Sequence, residues 1–199
     1  MGRLNPPGYQ RFVQAREFEI SYAGGEANVA VSLANYGVDA SYVTKVPAND
    51  IAKSALRELK AHDVDTSDVV IGGERLGLYF CEKGASQRAS KVIYDRKYSA
   101  ISMAEQSDFD WNKILDGADW FHFTGITPAL SDNCAAICLD AVKAAKAKNI
   151  TVSCDLNFRK NLWTSEKAGK VMAGLMEYVD VAIANEEDCE KVFGIKAEN

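Results

Sequence analysis

No apolar run in the sequence approaches the length that crosses a bilayer, roughly 18 to 20 residues, so no membrane span is expected. The opening MGRLNPPGYQ has no apolar core of the secretory kind, and Pro6 stands where a myristoylation signal wants Ser or Thr. Basic charge is in deficit: 23 Lys and Arg face 28 Asp and Glu, and the net charge of -5 disfavours a nucleic-acid partner. Histidine is nearly missing, with only His62 and His122, too far apart for a local metal motif. The five cysteines (Cys81, Cys134, Cys138, Cys154, Cys189) are too scattered for zinc and odd in number for closed disulfides. They read as free thiols in a reducing, cytoplasmic compartment. Neither a G-x-G-x-x-G fingerprint nor a P-loop ending in Gly-Lys-Ser/Thr is present, which argues against a dinucleotide oxidoreductase and a P-loop enzyme.

The remaining composition, 47% hydrophobic and 26% charged over 199 residues, is that of a globular chain with one good-sized domain, or a domain plus a small appendage. From about residue 100 onward, strands and helices alternate. ADWFHFT is a strand; the next helix is capped by Ser131, with Cys134, Ile137, Cys138, Ala141 and Ala145 at helical spacing. ITVSCDL is a strand, Thr164 caps a helix with an inward stripe of Ala168, Val171, Met172 and Leu175, and VDVAIAN precedes a short helix that stops at Gly194. SYVTKVP and the helices EANVAVSLANYG and NDIAKSALRELKAH continue the rhythm, which is that of a doubly wound parallel sheet. AREFEISYAG, RLGLYFCEKG and ASKVIYDRKYS break it. They alternate with period 2 and lack crossover helices, as in a small antiparallel sheet.

Three successive strands end in polar segments, FTGITPAL, CDLNFRKNLW and IANEEDCEKVF, at the end where open parallel sheets bind ligands. YAGGEANVA puts Gly24 and Gly25 before a helix, where backbone N–H groups approach a ligand. On the small sheet, Tyr94 and Arg96 point to one face, with Tyr79 nearby, a combination suited to an anionic small molecule. Each feature alone also reads as a cap, a turn or a solvated strand face.

The ordered set Gly-Gly-x-x-Asn, Tyr-x-Arg, FTGITPALS, DLNFRKNLW and ANEED resembles the ribokinase (PfkB) family of sugar kinases, and within it the 2-keto-3-deoxygluconate kinases, from about Leu4 to Gly194. The resemblance implies a ribokinase-like, three-layer α/β fold with a small β lid, incomplete at both ends. Residues 25-73 and 99-199 would form the core, and 14-24 with 74-98 the lid. It implies ATP- and Mg2+-dependent phosphorylation of a keto-deoxy sugar acid at a primary hydroxyl, as part of a full-length kinase, and homo-oligomerisation through the lid. Gly24, Asn28, Tyr79, Tyr94, Arg96 and the Ile126 backbone would bind substrate. Arg159 would contact the acid group and the phosphoryl. Asn157, Asn185 and Asp188 would lie near phosphates and metal, with Glu187 as the substitute where Asp188 departs from the family's Glu. Asp155 and Asn157 would either orient Arg159 or contact metal-bound water.

The family's Gly-Ala-Gly-Asp segment, with its catalytic base, is not found in the 199 residues, and only Met1 and Gly2 stand before Arg3 where a first strand is expected. Catalysis by this chain alone is therefore not expected. A non-catalytic sugar-acid-binding or dimerisation remnant, or a fructokinase- or ribokinase-type enzyme, are the alternatives.

Overall fold

A computed structural model describes residues 1–196. They form two compact units, Met1–Ser102 and the residues from Met103 onward. In the first, the order is β1 (Gly2–Asn5), β2 (Glu19–Tyr22), α1 (Gly25–Asn35), β3 (Lys45–Val46), α2 (Asp50–Ala61), β4 (Val70–Ile71), β5 (Leu78–Glu82) and β6 (Lys91–Asp95). Asn49 starts α2 by accepting the Ala52 N–H on its side-chain oxygen at 3.0 Å, which satisfies one orphan donor of the first turn. The helix crosses between β3 and β4, which pair in parallel, and packs Ala52 and Leu56 against Val46 and Val69.

The other sheet of this unit has the order β2-β1-β5-β6. The three period-2 segments supply β2, β5 and β6 as expected, and β5 and β6 are antiparallel. Residues 2–5, which the sequence leaves as the remnant of a missing strand, instead form β1 between β2 and β5, antiparallel to the first and parallel to the second. Four residues ending at Pro6-Pro7 are too few to display an alternation, and pairing with distant partners fixes them.

The second unit holds α3 (Trp111–Ile114), β7 (Trp120–Thr124), α4 (Ile126–Ala129), α5 (Asp132–Ala147), β8 (Thr151–Asp155), α6 (Ser165–Met176), β9 (Val181–Ile183) and α7 (Glu186–Phe193). β7, β8 and β9 lie side by side, all parallel. The helices begin where the side chains dictate: Ser131 Oγ accepts the Cys134 N–H at 3.1 Å and Thr164 Oγ1 the Lys167 N–H at 3.2 Å. α7 stops at Gly194, which takes the left-handed conformation with φ 69°.

The core of this unit is built from β8 and the inner faces of α5 and α6, with Val142, Val152, Cys154, Ala168 and Met172 fully buried. Cys134 and Cys138 are buried among these apolar groups, so they act as small hydrophobes. None of the five cysteines is in a disulfide. His122 sits on β7 with Nδ1 2.8 Å from Ser153 Oγ, an internal partner on the next strand. No helix among the described residues is long and apolar enough to cross a membrane.

Asp180 ties this layer together. Both its oxygens lie 2.8 Å from Lys146 Nζ at the end of α5, and Oδ2 also accepts the Val152 N–H at 2.8 Å. The Lys146 hydrogen bond, followed by that from Val152, holds the carboxyl below its ordinary range. A carboxyl lowered on folding stabilises the protein above its unfolded value of about 3.9 and loses that contribution as pH falls through the lower folded value. Asp180→Asn is expected to lower the melting temperature by a few degrees near neutral pH and to soften the stability loss below about pH 4, which melts across that range would measure.

Candidate functional site

The carboxyl ends of β7, β8 and β9 form one continuous rim. Thr124, Asp155 and Ile183 stand abreast in the parallel register. One residue further on, the Gly125 N–H donates to the Asp155 carbonyl at 2.8 Å and the Leu156 N–H to the Ile183 carbonyl at 2.9 Å. The three polar segments therefore leave the sheet side by side. A Cβ on Gly125 would stand 2.2 Å from the Leu156 carbonyl oxygen, so only glycine permits this approach.

Beyond the rim, Asp155 Oδ1 accepts the Asn157 N–H at 3.2 Å, and Asn157 adopts a left-handed backbone with φ 37°. This Asx-type turn reverses the chain. Leu156 and Trp163 are buried on either side of the segment, while Arg159 and Lys160 between them are exposed. No side-chain bond or ion pair of Arg159 occurs among the described residues, which leaves its guanidinium available to a ligand.

Ile126 opens α4, and its N–H donates weakly to Thr124 Oγ1 at 3.3 Å. Asn185 caps α7, its Oδ1 accepting the Asp188 N–H at 2.7 Å while its Nδ2 donates to Asp188 Oδ2 at 3.3 Å. Glu187 is exposed in the same first turn and Asp188 half-buried. Ile126, Asn157, Arg159, Asn185, Glu187 and Asp188 thus belong to one rim. Of the two roles open to Asp155, the structure places its carboxylate on the Asn157 N–H, with no bond to Arg159.

In the first unit, Gly24 is the N-cap of α1 with extended backbone, and its carbonyl accepts the Asn28 N–H at 2.8 Å. The Asn28 side chain is exposed. Tyr79 on β5 lies directly opposite Tyr94 on β6, with ring centroids 5.9 Å apart. The Arg96 guanidinium carbon sits 4.4 Å from the centre of the Tyr94 ring, a cation–π arrangement. Burial pushes the Tyr79 hydroxyl above its ordinary pKa, against an opposing pull from Arg3.

Two residues that position these groups were not recognised in the sequence. Gly125 lies inside a quoted motif, but its necessity depends on a strand remote in sequence. Arg75 has no local signal at all. Its guanidinium bonds both Asp95 oxygens, at 2.9 and 2.6 Å, and donates to the Asp95 and Lys97 carbonyls at 3.0 and 3.4 Å. It so braces the backbone on either side of Arg96.

The sequence matches the model of the pfkB family carbohydrate kinases over residues 3–199. It is 33% identical over 192 residues to the 2-dehydro-3-deoxygalactonokinase of Haloferax volcanii, covering 96% of this chain and 60% of that protein. It is 30% identical over 194 residues to the 2-dehydro-3-deoxygluconokinase of Thermoproteus tenax, covering 96% and 58%. The crystal structure of 2-dehydro-3-deoxygluconokinase from Thermotoga maritima superposes with a TM-score of 0.98 at 56% identity, over 100% of this chain and 61% of that one. A PfkB family carbohydrate kinase from Listeria grayi gives 0.96 at 36% identity, over 100% and 62%. The chain thus spans about three fifths of the length of these relatives, and its fold is the ribokinase-like α/β arrangement.

Gly125→Ala is expected to destabilise the protein by about 1–3 kcal/mol, because the new methyl group must force β7 and β8 apart at the rim. Gly174→Ala is the control: it lies in α6 with nothing within 4 Å of the added Cβ, and should be neutral or stabilising by up to about 1 kcal/mol. Urea unfolding of the two variants measures the contrast.

Proposed function

The chain belongs to the pfkB family of carbohydrate kinases, and from that premise we propose that it serves, as part of a full-length kinase, in ATP-dependent phosphorylation of 2-keto-3-deoxygluconate at a primary hydroxyl. The observation that carries the acidic substrate is Arg96 over Tyr94, with Tyr79 opposite, on one sheet face. The names of the Haloferax, Thermoproteus and Thermotoga relatives, all kinases of keto-deoxy sugar acids, support the same substrate class. Within this reading residues 14-24 and 74-98 act as the lid, and 25-73 with 99-199 as the α/β core. A cytoplasmic location accords with five cysteines of which none is in a disulfide. Pairing of two copies through the lid accords with the exposure of Ile20 and Ile93, 49% and 45%.

In the proposed roles, Gly24, Asn28, Tyr79, Tyr94 and Arg96 bind the sugar acid, and the Ile126 backbone contacts it. Arg159 meets its acid group and the negative charge spread over the phosphoryl. Such a transfer relies on positioning and on charge stabilisation, and the exposed Arg159 guanidinium supplies the second. The donor set fits magnesium in one manner. Among the described residues no three His, Cys, Asp or Glu side chains form a metal cage. Magnesium on a nucleotide needs none, taking one or two carboxylates with waters and phosphate oxygens. Asp188, or Glu187 in its place, would hold it in the first turn of α7, while Asn157 and Asn185 lie on the same rim. When bound, the ion neutralises charge on the phosphates.

Phosphoryl transfer from ATP by the full-length kinase of which this chain is part, followed with 2-keto-3-deoxygluconate and with fructose as acceptors, tests the reading. The acid should be preferred, and Arg159→Ala and Arg96→Ala should each lower kcat/KM for it by about 10- to 100-fold. Undiminished activity in both variants removes the two arginines from these roles. Preference for fructose replaces the substrate with a neutral sugar, and substrate binding without any transfer leaves a binding module.

A further inference from the structure

We propose that Arg3 is a specificity-determining residue of the same lid face, a second guanidinium that receives the carboxylate of an acidic sugar beside Tyr79 and Tyr94. The inference rests on the sugar-acid reading above and adds a residue outside the set assigned there.

The register places it. Arg3 on β1 stands opposite Ser21 on β2 and opposite Tyr79 on β5, and Tyr79 stands opposite Tyr94 on β6. Residues directly opposite across a ladder project to the same face. Ser21, Arg3, Tyr79 and Tyr94 therefore form one row across all four strands. The alternate positions Leu4, Ile20, Leu78, Phe80 and Ile93 project to the other face, which Asp95 and Glu82 share.

The guanidinium is held but not neutralised. Arg3 Nε donates to Asn5 Oδ1 at 3.1 Å, and Asn5 is itself only 8% exposed. Arg3 Nη2 donates to Cys81 Sγ at 3.5 Å, a weak acceptor. Among the described residues no carboxylate forms an ion pair with Arg3. A half-buried cation whose partners are an amide and a thiol has its orientation fixed in advance and its charge unanswered. Three of its five N–H donors have no bond here, enough for the two-pronged contact that a carboxylate accepts. The opposing pull of Arg3 on Tyr79 accords with their shared face. Arg96 differs in kind: it is stacked on an aromatic ring, while Arg3 is held by the Asn5 amide and the Cys81 thiol.

Calorimetric titration of the chain with 2-keto-3-deoxygluconate and with fructose, for wild type, Arg3→Gln and Arg3→Lys, decides the matter. Arg3→Gln should weaken binding of the acid by about tenfold or more and leave fructose unchanged. Arg3→Lys, with the charge but without the fork, should keep an intermediate ratio of acid to neutral affinity, and it serves as the second variant should Arg3→Gln fail to fold. A loss of equal size for both sugars, or none for the acid, overturns the role of Arg3 while the acid preference of the wild type stands. A wild type that binds both alike, or neither, overturns the sugar-acid reading and this inference with it.

Discussion

The rim of the second unit depends on one backbone constraint, the in-register ending of three parallel strands. Two hydrogen bonds, Gly125 N–H to the Asp155 carbonyl and Leu156 N–H to the Ile183 carbonyl, continue the sheet one step past its last full pairs. Because they close in a line, the chain must leave all three strands at the same level. Glycine at 125 follows directly, since any Cβ there would run into the Leu156 carbonyl. So does the need for immediate turns. Asp155 and Asn185 meet that need by accepting the N–H groups of Asn157 and Asp188. A cap of this sort contributes about 1 kcal/mol, so these two polar side chains have a structural reason to be where they are.

That accounting separates two kinds of polar residue that look alike in a sequence. Asp155 and Asn185 are engaged with the backbone that they turn. Arg159 and Glu187 lie beside them, exposed and without a side-chain bond among the described residues. A solvated loop explains exposure, but not why an exposed cation is borne on a segment pinned by buried Leu156 and Trp163. A pinned segment loses less freedom when its side chain closes on a ligand, and binding is strengthened through that saving.

Elements governed by neighbours in sequence were legible. The caps at Ser131 and Thr164, the stop at Gly194 and the buried stripe of α5 depend on residues within one or two turns of each other. The ordered motifs likewise point to the family from the residues alone, because each is a short run whose meaning lies in its own letters and their order along the chain. Features set by register were not legible. β1 is a strand because β2 and β5 pair with it, and nothing within Gly2–Asn5 announces that. Gly125 is indispensable because of Leu156, about thirty residues away, which joins it only through parallel pairing. Arg75 reaches Asp95 across a hairpin, and its value lies in bracing the backbone around Arg96. The sequence does bring Tyr94 and Arg96 to one face by simple alternation, but it takes the four-strand order to put Arg3 in the same row.

On the proposed sugar-acid reading, the face that carries Arg3, Tyr79 and Tyr94 would have a physical means of discrimination that does not depend on a tight fit. Among the described residues Arg3 meets only neutral partners, and it is half-buried, so charge is screened there less than in water. A carboxylate entering there answers a charge that folding left unanswered. A neutral sugar of the same size would displace water from the guanidinium and return weaker hydrogen bonds, leaving the cation less well solvated than before. Selectivity of this origin comes from the penalty on the wrong ligand as much as from attraction to the right one, and it is large where a polar group is left without a proper partner. An apolar pocket of equal shape would lack it. The convergence of Arg3, Tyr79 and Tyr94 on one face of the four strands is thus what would let so small a sheet distinguish an acid from an alcohol.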